Sequence, residues 1–168
     1  PSDAILYFHR AYAYSGAGEY EKAVADYTRY LKSYPDDTDA LNNRGLAYSN
    51  LKRQKAAVRD FSRAIELNPS DADFYFNRAY SLDELGDKKR AIDDYTRAIE
   101  LNADHDLAYY NRALLYEVRG KPDLAVLDYS KAIEINSKDT QAHINRGYLY
   151  EERGDYESAL KDFTKAIE

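Results

Sequence analysis

RAIELN at residues 63–68 recurs unchanged at 97–102, and the related string KAIEIN follows at 131–136. Consecutive copies start 34 residues apart, and KAIE at 165–168 keeps this spacing. The same spacing separates a second set of strings: NNRGLAY at 42–48, FNRAYSL at 76–82, YNRALLY at 110–116 and INRGYLY at 144–150. A fixed period of this length predicts an array of small repeats, each of which buries its apolar face against its neighbours.

The period divides the chain into five repeats with no insertion between them. FHRAYAY at 8–14 is a degenerate first copy of the second set, and the last repeat stops 29 residues after it begins. We therefore predict a single array over residues 1–168, whose final repeat is incomplete and has no polar capping helix. The predicted repeats are 4–37, 38–71, 72–105, 106–139 and 140–168.

Each repeat has the punctuation of two helices joined by a tight turn. Glycine fills the fifteenth position of every repeat except the second, and glycine readily adopts the left-handed conformation that ends a helix. Lys52 replaces it in the second repeat, which predicts strain or a looser turn there. Pro122 falls where a second helix would begin. Proline suits this position, because the first N–H of a helix has no partner within the helix and its loss costs nothing. Aspartates stand where they could cap the next helix, namely Asp37, Asp71 and Asp139.

Small and large residues recur at fixed positions of the repeat. Position eight is alanine or glycine and position twenty is always alanine, so the two helices of a repeat can approach closely. Position twenty-four is aromatic in every repeat, and these rings are predicted to fill the space between repeats. The aromatic residues are Tyr27, Phe61, Tyr95, Tyr129 and Phe163.

Arginine at position seven and aspartate at position twenty-three occur in every repeat. The arginine precedes the turn position by as many residues as the aspartate follows it. The two side chains therefore lie at the same height of an antiparallel hairpin. We predict a partly buried ion pair that ties the two helices together and has a structural role rather than a ligand-binding one. The predicted pairs are Arg10–Asp26, Arg44–Asp60, Arg78–Asp94, Arg112–Asp128 and Arg146–Asp162.

Together, the period, the small residues and the aromatics resemble the tetratricopeptide repeat family over essentially the whole chain. Leu41 and His143 depart from the large aromatic residue that this family has at position four. The resemblance implies an all-α fold, an α-solenoid of antiparallel helix-turn-helix repeats forming a right-handed superhelix with a concave groove. It further implies a non-catalytic protein–protein interaction scaffold, whose first helices line that groove and bind an extended or helical peptide segment of a partner.

Groove-facing residues are expected at positions two, five, six, nine, twelve and thirteen, which recur at helical spacing. Position six carries a ladder of asparagines, whose amides can both donate and accept hydrogen bonds along the main chain of an extended peptide. The alternative is that these amides cap or bridge neighbouring helices. The ladder consists of Asn43, Asn77, Asn111 and Asn145.

Aromatic and acidic side chains accompany the ladder. Aromatics are favoured anchors at binding surfaces, although each could instead pack between adjacent first helices. Positions two, twelve and thirteen contain acidic residues but no lysine or arginine. By charge complementarity, we expect a groove of this kind to bind a basic, partly apolar ligand. The alternative is that these acidic residues form an ordinary solvated face of the protein. The aromatic candidates are Phe8, Tyr12, Phe76, Tyr80, Tyr110 and Tyr148. The acidic candidates are Asp83, Glu84, Glu117 and Glu151, joined by Asp39, Asp73 and Glu152.

Composition argues against several other classes of protein. The net charge of −6 is unlike the basic surface of a nucleic-acid-binding protein. No apolar run reaches the roughly 20 residues that span a bilayer and no signal peptide opens the chain, so membrane insertion is not expected. Cysteine is absent and the three histidines lack metal-ligand spacing, so we predict no metal, cofactor or catalytic site. The absence of cysteine also fits a reducing compartment, so we expect a cytoplasmic location.

Two alternatives to a peptide-binding scaffold remain open. Arrays could stack or form homo-oligomers through the uncapped C-terminal end, where Ala159, Phe163 and Ala166 would form an exposed apolar flank. The chain, which contains no methionine, could also be the regulatory arm of a longer enzyme. Binding of heat-shock chaperones is not expected, because Phe8 and Phe76 stand where carboxylate-clamp members of the family carry basic residues.

Overall fold

The computed structural model describes residues 2–168, with side chains from Ala4 onward. Within that range the chain forms ten α-helices and no strand, and no helix has the length and apolar character needed to cross a membrane. The first helices of the repeats are α1 Ser2–Gly16, α3 Thr38–Asn50, α5 Ala72–Glu84, α7 Asp106–Val118 and α9 Thr140–Glu152. The second helices are α2 Tyr20–Leu31, α4 Gln54–Leu67, α6 Lys88–Leu101, α8 Pro122–Ile135 and α10 Tyr156–Ile167.

The turn inside each repeat has the same geometry whether or not glycine is present. The four turn glycines have φ between +65° and +83°, and Lys52 has φ +58°. The Arg53 amide donates to the Tyr48 carbonyl at 2.8 Å, as the Asp87 amide does to the Leu82 carbonyl at 2.9 Å. Of the two alternatives predicted for this turn, strain or a looser geometry, the looser geometry is wrong. Lys52 instead adopts a backbone conformation that residues with side chains disfavour.

Side-chain caps hold the helix starts as predicted. Asp37, Asp71 and Asp139 each accept a backbone N–H in the first turn of the next helix, and Pro122 is the first residue of α8. Asp155 caps α10 in the same way, by accepting the Ser158 amide at 3.1 Å. These bonds satisfy N–H groups that the helix itself leaves without partners.

Two compact units make up the chain, one ending at Asp94 and the other beginning at Tyr95, within α6. Each unit has a core that combines residues of positions eight, twenty and twenty-four with apolar residues of other repeat positions, such as position three. In the first unit the core includes Ala11, Ala23, Tyr27, Ala40 and Phe74. In the second unit it includes Ala113, Ala125, Tyr129, Ala142 and Leu149.

Glycine at position eight permits a close approach of the two helices in the second and fifth repeats. A Cβ on Gly45 would lie 2.6 Å from the Phe61 ring, and one on Gly147 would lie 2.7 Å from the Phe163 ring. The second and fifth repeats thus combine glycine with phenylalanine, whereas the others combine alanine with tyrosine. In these two repeats the position-eight glycine therefore packs against the position-twenty-four ring of the same repeat.

The apolar flank predicted at the C-terminal end is composed of other residues. Ala159 is buried, and Phe163 lies against Gly147 and the Tyr148 ring, so neither forms an exposed patch. Ala166 is half-buried. The large apolar side chains that α10 leaves exposed are Tyr156, Leu160 and Ile167.

Ion pairs tie the two helices of each repeat as the sequence predicts. In every repeat the arginine Nε and Nη2 atoms donate to the two aspartate oxygens, in a bidentate arrangement. In Arg78–Asp94, for example, the two N···O distances are 2.7 and 2.8 Å, and both side chains are largely buried. Bidentate geometry fixes the height of one helix against the other.

The arginines of the second to fifth repeats also form a hydrogen bond with the preceding repeat. Their Nη1 atoms donate to a serine or threonine hydroxyl at position twenty-five of that repeat, so one guanidinium joins three helices. The four bonds are Arg44–Thr28 at 3.2 Å, Arg78–Ser62 at 3.2 Å, Arg112–Thr96 at 2.9 Å and Arg146–Ser130 at 2.9 Å. Sequence reasoning missed this link, although serine or threonine at position twenty-five of every repeat was its signal.

Candidate functional site

The tyrosines at position nine are exposed on the first helices. Tyr12, Tyr80 and Tyr148 have 65%, 42% and 56% of their surface accessible. The residue directly before each of them, at position eight, is buried. A large aromatic side chain left in water on a helix that is otherwise well packed is a candidate contact for a partner.

The aromatic residues at position five lie deeper than those at position nine. Phe8 has its ring 5.7 Å from that of Tyr27, and Tyr110 has its ring 5.6 Å from that of Tyr129. Phe76 is likewise half-buried. Phe8 and Tyr110 therefore pack against the core of a unit, and all three side chains are less exposed than the position-nine tyrosines.

The asparagines at position six fall into two groups. Asn77 donates to Asn42 of the preceding repeat at 3.0 Å, and Asn145 donates to two tyrosine hydroxyls of the preceding repeat at 3.2 and 3.3 Å. These two amides bridge neighbouring first helices. Within residues 2–168 the Asn43 and Asn111 side chains make no hydrogen bond, so their donors and acceptors are available to a ligand.

Several acidic candidates have partners within the chain. Asp83 forms an ion pair with Lys88, and Glu84 lies 3.5 Å from the Lys52 ammonium. Glu117 accepts a hydrogen bond from a buried tyrosine hydroxyl. The acidic character of the face is thus partly offset by lysines from the turns of the first unit. The other acidic candidates are exposed to solvent: Asp39, Asp73, Glu151 and Glu152.

A cavity of about 350 Å³ opens between α1 and α3 in the first unit. Its walls include Tyr12, Asn43 and Leu46, and the Ser15 and Tyr27 side chains also line it. Sequence reasoning named Tyr12 and Asn43 but missed the serine and the buried tyrosine. The available signal was position twelve, where Ser15 stands in place of the acidic residue that the last three repeats carry.

His143 packs inside the last repeat. His143 is buried, and its Nδ1 atom lies 2.9 Å from the Asp162 carboxylate that also binds Arg146. In the part of the chain that the structure describes, no group of three or more His, Asp or Glu side chains could hold a metal ion. His143 thus supports the last ion pair of the array.

Sequence profiles of known families match nearly the whole chain. Tetratricopeptide repeat profiles match residues 6–37, 38–71, 72–105, 107–139 and 140–168. None of the curated proteins matches the chain in sequence. The tetratricopeptide repeat fold is typically a non-catalytic interaction scaffold.

Solved structures of helical repeat proteins share this fold. A crystal structure of MamA superposes with a TM-score of 0.87 at 28% identity, over 94% of this chain and 92% of that one. YrrB, described as a TPR protein with an unusual peptide-binding site, gives 0.78 at 26% identity, over 98% and 84%. MamA from Desulfovibrio magneticus RS-1 gives 0.89 at 20% identity, over 99% and 94%, a likeness of fold alone. The chain belongs to the tetratricopeptide repeat family.

Proposed function

We propose that the chain is a non-catalytic scaffold that binds an extended or helical peptide segment of a partner protein on its first helices. The observation that carries this proposal is the exposure of the position-nine tyrosines. Each of Tyr12, Tyr80 and Tyr148 leaves 42% or more of its surface in water, directly after a buried residue at position eight. Tyrosine offers a large contact area with a hydroxyl for hydrogen bonding and only modest loss of side-chain entropy.

Free amides on the first helices support an extended ligand. Asn43 lies in the same cavity wall as Tyr12, and Asn111 has its side chain available in the second unit. An amide can accept from a peptide N–H and donate to a peptide carbonyl, whatever the side chains of the ligand. The relative YrrB is described as having a peptide-binding site, which supports the same activity for this chain.

Charge supports a ligand that is basic as well as apolar. The net charge is −6, and exposed carboxylates of Glu84 and Glu151 lie one turn from Tyr80 and Tyr148 along their helices. Lysine or arginine side chains of a ligand would meet favourable charge there, while its apolar side chains would cover the tyrosine rings.

The test is a peptide array of extended sequences, screened with the wild-type chain and with Tyr80→Ser and Tyr148→Ser. Hot-spot aromatics contribute roughly 2 kcal/mol or more to binding, so each variant should bind selected peptides at least about tenfold more weakly. Asn111→Ala should also weaken binding, whereas Asn77→Ala should affect it less because Asn77 already bonds Asn42.

Leu127→Ser provides the matched control. Leu127 is 62% exposed, comparable to the tyrosines, but lies on the second helix α8. Its loss should leave peptide binding and far-ultraviolet circular dichroism unchanged. Equal weakening by Leu127→Ser and Tyr148→Ser would contradict a site on the first helices.

A second candidate function is self-association through α10. Tyr156, Leu160 and Ile167 are exposed on this helix, and Leu160 and Thr164 line a shallow apolar groove. Sedimentation velocity across a wide concentration range tests it, with Leu160→Glu as the disrupting variant. A mass that stays monomeric at all concentrations would exclude this function. The proposal that the chain regulates a larger enzyme stays a prediction.

A further inference from the structure

The Tyr27 hydroxyl has no hydrogen-bond partner within the described residues, although the side chain is fully buried. The Ser15 hydroxyl, which lines the same cavity, is also without a partner there. Burial raises the pKa of Tyr27, and the facing Ser15 hydroxyl offsets part of the rise, so the phenol keeps its proton and remains a donor. Buried polar groups without partners are rare in native proteins, and each one calls for an explanation.

The second unit shows how the same position is satisfied elsewhere. Tyr129 stands where Tyr27 stands in the first repeat, and its hydroxyl donates to Glu117 and accepts from Asn145 at 3.2 Å. Glu117 corresponds in the repeat to Ser15, and Asn145 corresponds to Asn43. Serine at this position faces the Tyr27 hydroxyl but makes no hydrogen bond of good geometry with it, unlike the Glu117 carboxylate with Tyr129. The cavity of about 350 Å³ therefore lies where the fourth repeat has a carboxylate side chain.

We infer that the cavity between α1 and α3 is a subsite for the carboxamide side chain of a glutamine or asparagine in the bound peptide. The ligand carbonyl would accept from the Tyr27 hydroxyl, and the ligand amide would donate to Ser15 Oγ or Asn43 Oδ1. The methylene groups would contact Leu46 and the Tyr12 ring. This subsite rests on the proposed function, because it assigns one side chain of the peptide that the first helices bind.

A neutral polar ligand fits the walls better than a charged or apolar one. No lysine, arginine or acidic residue lines the cavity, so a ligand charge would be buried without a counter-ion. An apolar side chain would leave both hydroxyls without partners. The volume is at the low end of the roughly 300–1,000 Å³ of small-ligand sites, which suits one side chain and its main chain.

The two hydroxyl oxygens are not accessible to solvent, so a ligand would reach them by displacing a side chain that lines the cavity, such as Tyr12. This ring is the most exposed of the position-nine tyrosines, and rotamer changes of exposed side chains are common when proteins bind ligands. Asn43 is also free of hydrogen bonds in the described part of the chain, so no internal contact has to break before a ligand binds.

The experiment uses the ¹⁵N-labelled chain and three N-acetyl amino-acid methylamides as probes: those of glutamine, glutamate and leucine. The glutamine probe should give saturable chemical-shift changes at Ser15, Asn43 and Leu46, with a Kd at least about fivefold below that of the other two. Equal Kd values for the glutamine and leucine probes would overturn the inference.

Two variants remove the subsite and one should create it elsewhere. Ser15→Glu supplies the oxygen that Glu117 supplies in the fourth repeat, and Tyr27→Phe removes the donor while keeping the ring. Both should abolish the glutamine-specific shifts. Glu117→Ser should produce a new glutamine response at Asn145. Shifts that persist in both Ser15→Glu and Tyr27→Phe would overturn the inference.

The outcomes separate this inference from the proposed function. If the array captures basic peptides but shows no preference for glutamine or asparagine, the scaffold stands and the subsite does not. If the glutamine probe binds at Ser15 while no peptide is captured, the peptide-binding function is overturned and the carboxamide site stands.

Discussion

Lys52 holds the one turn whose left-handed residue is not glycine among residues 2–168. A left-handed conformation costs a residue with a side chain about 1–2 kcal/mol, and replacing it with glycine removes this cost. Glycine also has more conformational freedom in the unfolded chain, which offsets roughly half of the gain. Lys52→Gly should therefore stabilise the protein by about 0.5–1 kcal/mol in urea unfolding. Lys52→Ala is the control, since alanine retains the strained φ and should change stability little. Equal stabilisation by both variants would mean that the lysine charge, not the backbone, is responsible.

Asp162 gives the last ion pair a dependence on pH. Burial alone would raise the pKa of Asp162, but the hydrogen bonds from Arg146 and His143 outweigh burial, so the pKa lies below its ordinary value of 3.8. A carboxyl with a lowered pKa in the folded state stabilises the protein at pH values above its unfolded pKa. That stabilisation is lost as pH falls through 3.8 towards the folded value.

Asp162→Asn tests this dependence by urea unfolding at a series of pH values. The variant should be about 3 kcal/mol less stable than wild type at pH 7, because Arg146 is left without its counter-ion. The difference should shrink as the pH falls below 3.8. Asp104→Asn, in the exposed loop before α7, is the control and should track wild type throughout. A constant difference between Asp162→Asn and wild type across this range would rule out the titration.

At the scale of the helical pair, the ion pair of Arg78 and Asp94 joins α5 to α6. Arg78 also donates a hydrogen bond to Ser62 of α4. Asp94→Ala leaves a largely buried guanidinium without its carboxylate and should cost about 3–5 kcal/mol in thermal or urea unfolding. Arg78→Met with Asp94→Leu should recover most of this loss, since no buried charge remains.

The recovery should be incomplete by about 1 kcal/mol, because the double variant also loses the hydrogen bond to Ser62. Ser62→Ala measures that bond alone and serves as the control. An unchanged melting temperature in Asp94→Ala would show that the ion pair is a surface contact with no structural weight.

The contacts between helices could be predicted from the sequence wherever a repeat position has the same surroundings in every repeat. Arginine and aspartate at equal distances from the turn have to meet in a hairpin, and glycine facing phenylalanine has to mark a close approach. Positions five and nine are different, because both carry aromatic residues on one helix face. Only the packing of Phe8 on Tyr27 and of Tyr110 on Tyr129 separates the buried set from the exposed set.

At the scale of the whole chain, the 34-residue period determined the fold class, and each repeat adds a similar term to the stability of the array. The candidate site was less predictable, because function depends on where repeats differ. Asn77 and Asn145 bridge helices while Asn43 and Asn111 do not, and the difference lies in their neighbours rather than in position six itself. Ser15 differs from the acidic residue of the last three repeats at position twelve, but only the structure shows that a cavity lies beside it.

The net charge of −6 predicts how peptide binding depends on salt. The Debye length is about 10 Å at 0.1 M ionic strength and about 3 Å at 1 M, so contacts between lysines of a peptide and exposed carboxylates weaken as salt is added. A lysine-containing peptide taken from the array should bind several-fold more weakly at 0.5 M than at 0.05 M NaCl by fluorescence anisotropy. Its glutamine-substituted counterpart should bind equally at both concentrations.

Glu84→Gln and Glu151→Gln provide the matched variants, because both side chains are exposed on first helices. Each should flatten the salt dependence of the lysine peptide and leave that of the neutral peptide unchanged. Glu134→Gln, on the second helix α8, should have little effect on either peptide. If the three variants flatten the dependence equally, attraction comes from the charge of the whole chain and the first helices select no basic ligand. If only the first-helix variants do so, the carboxylates beside Tyr80 and Tyr148 contact the peptide.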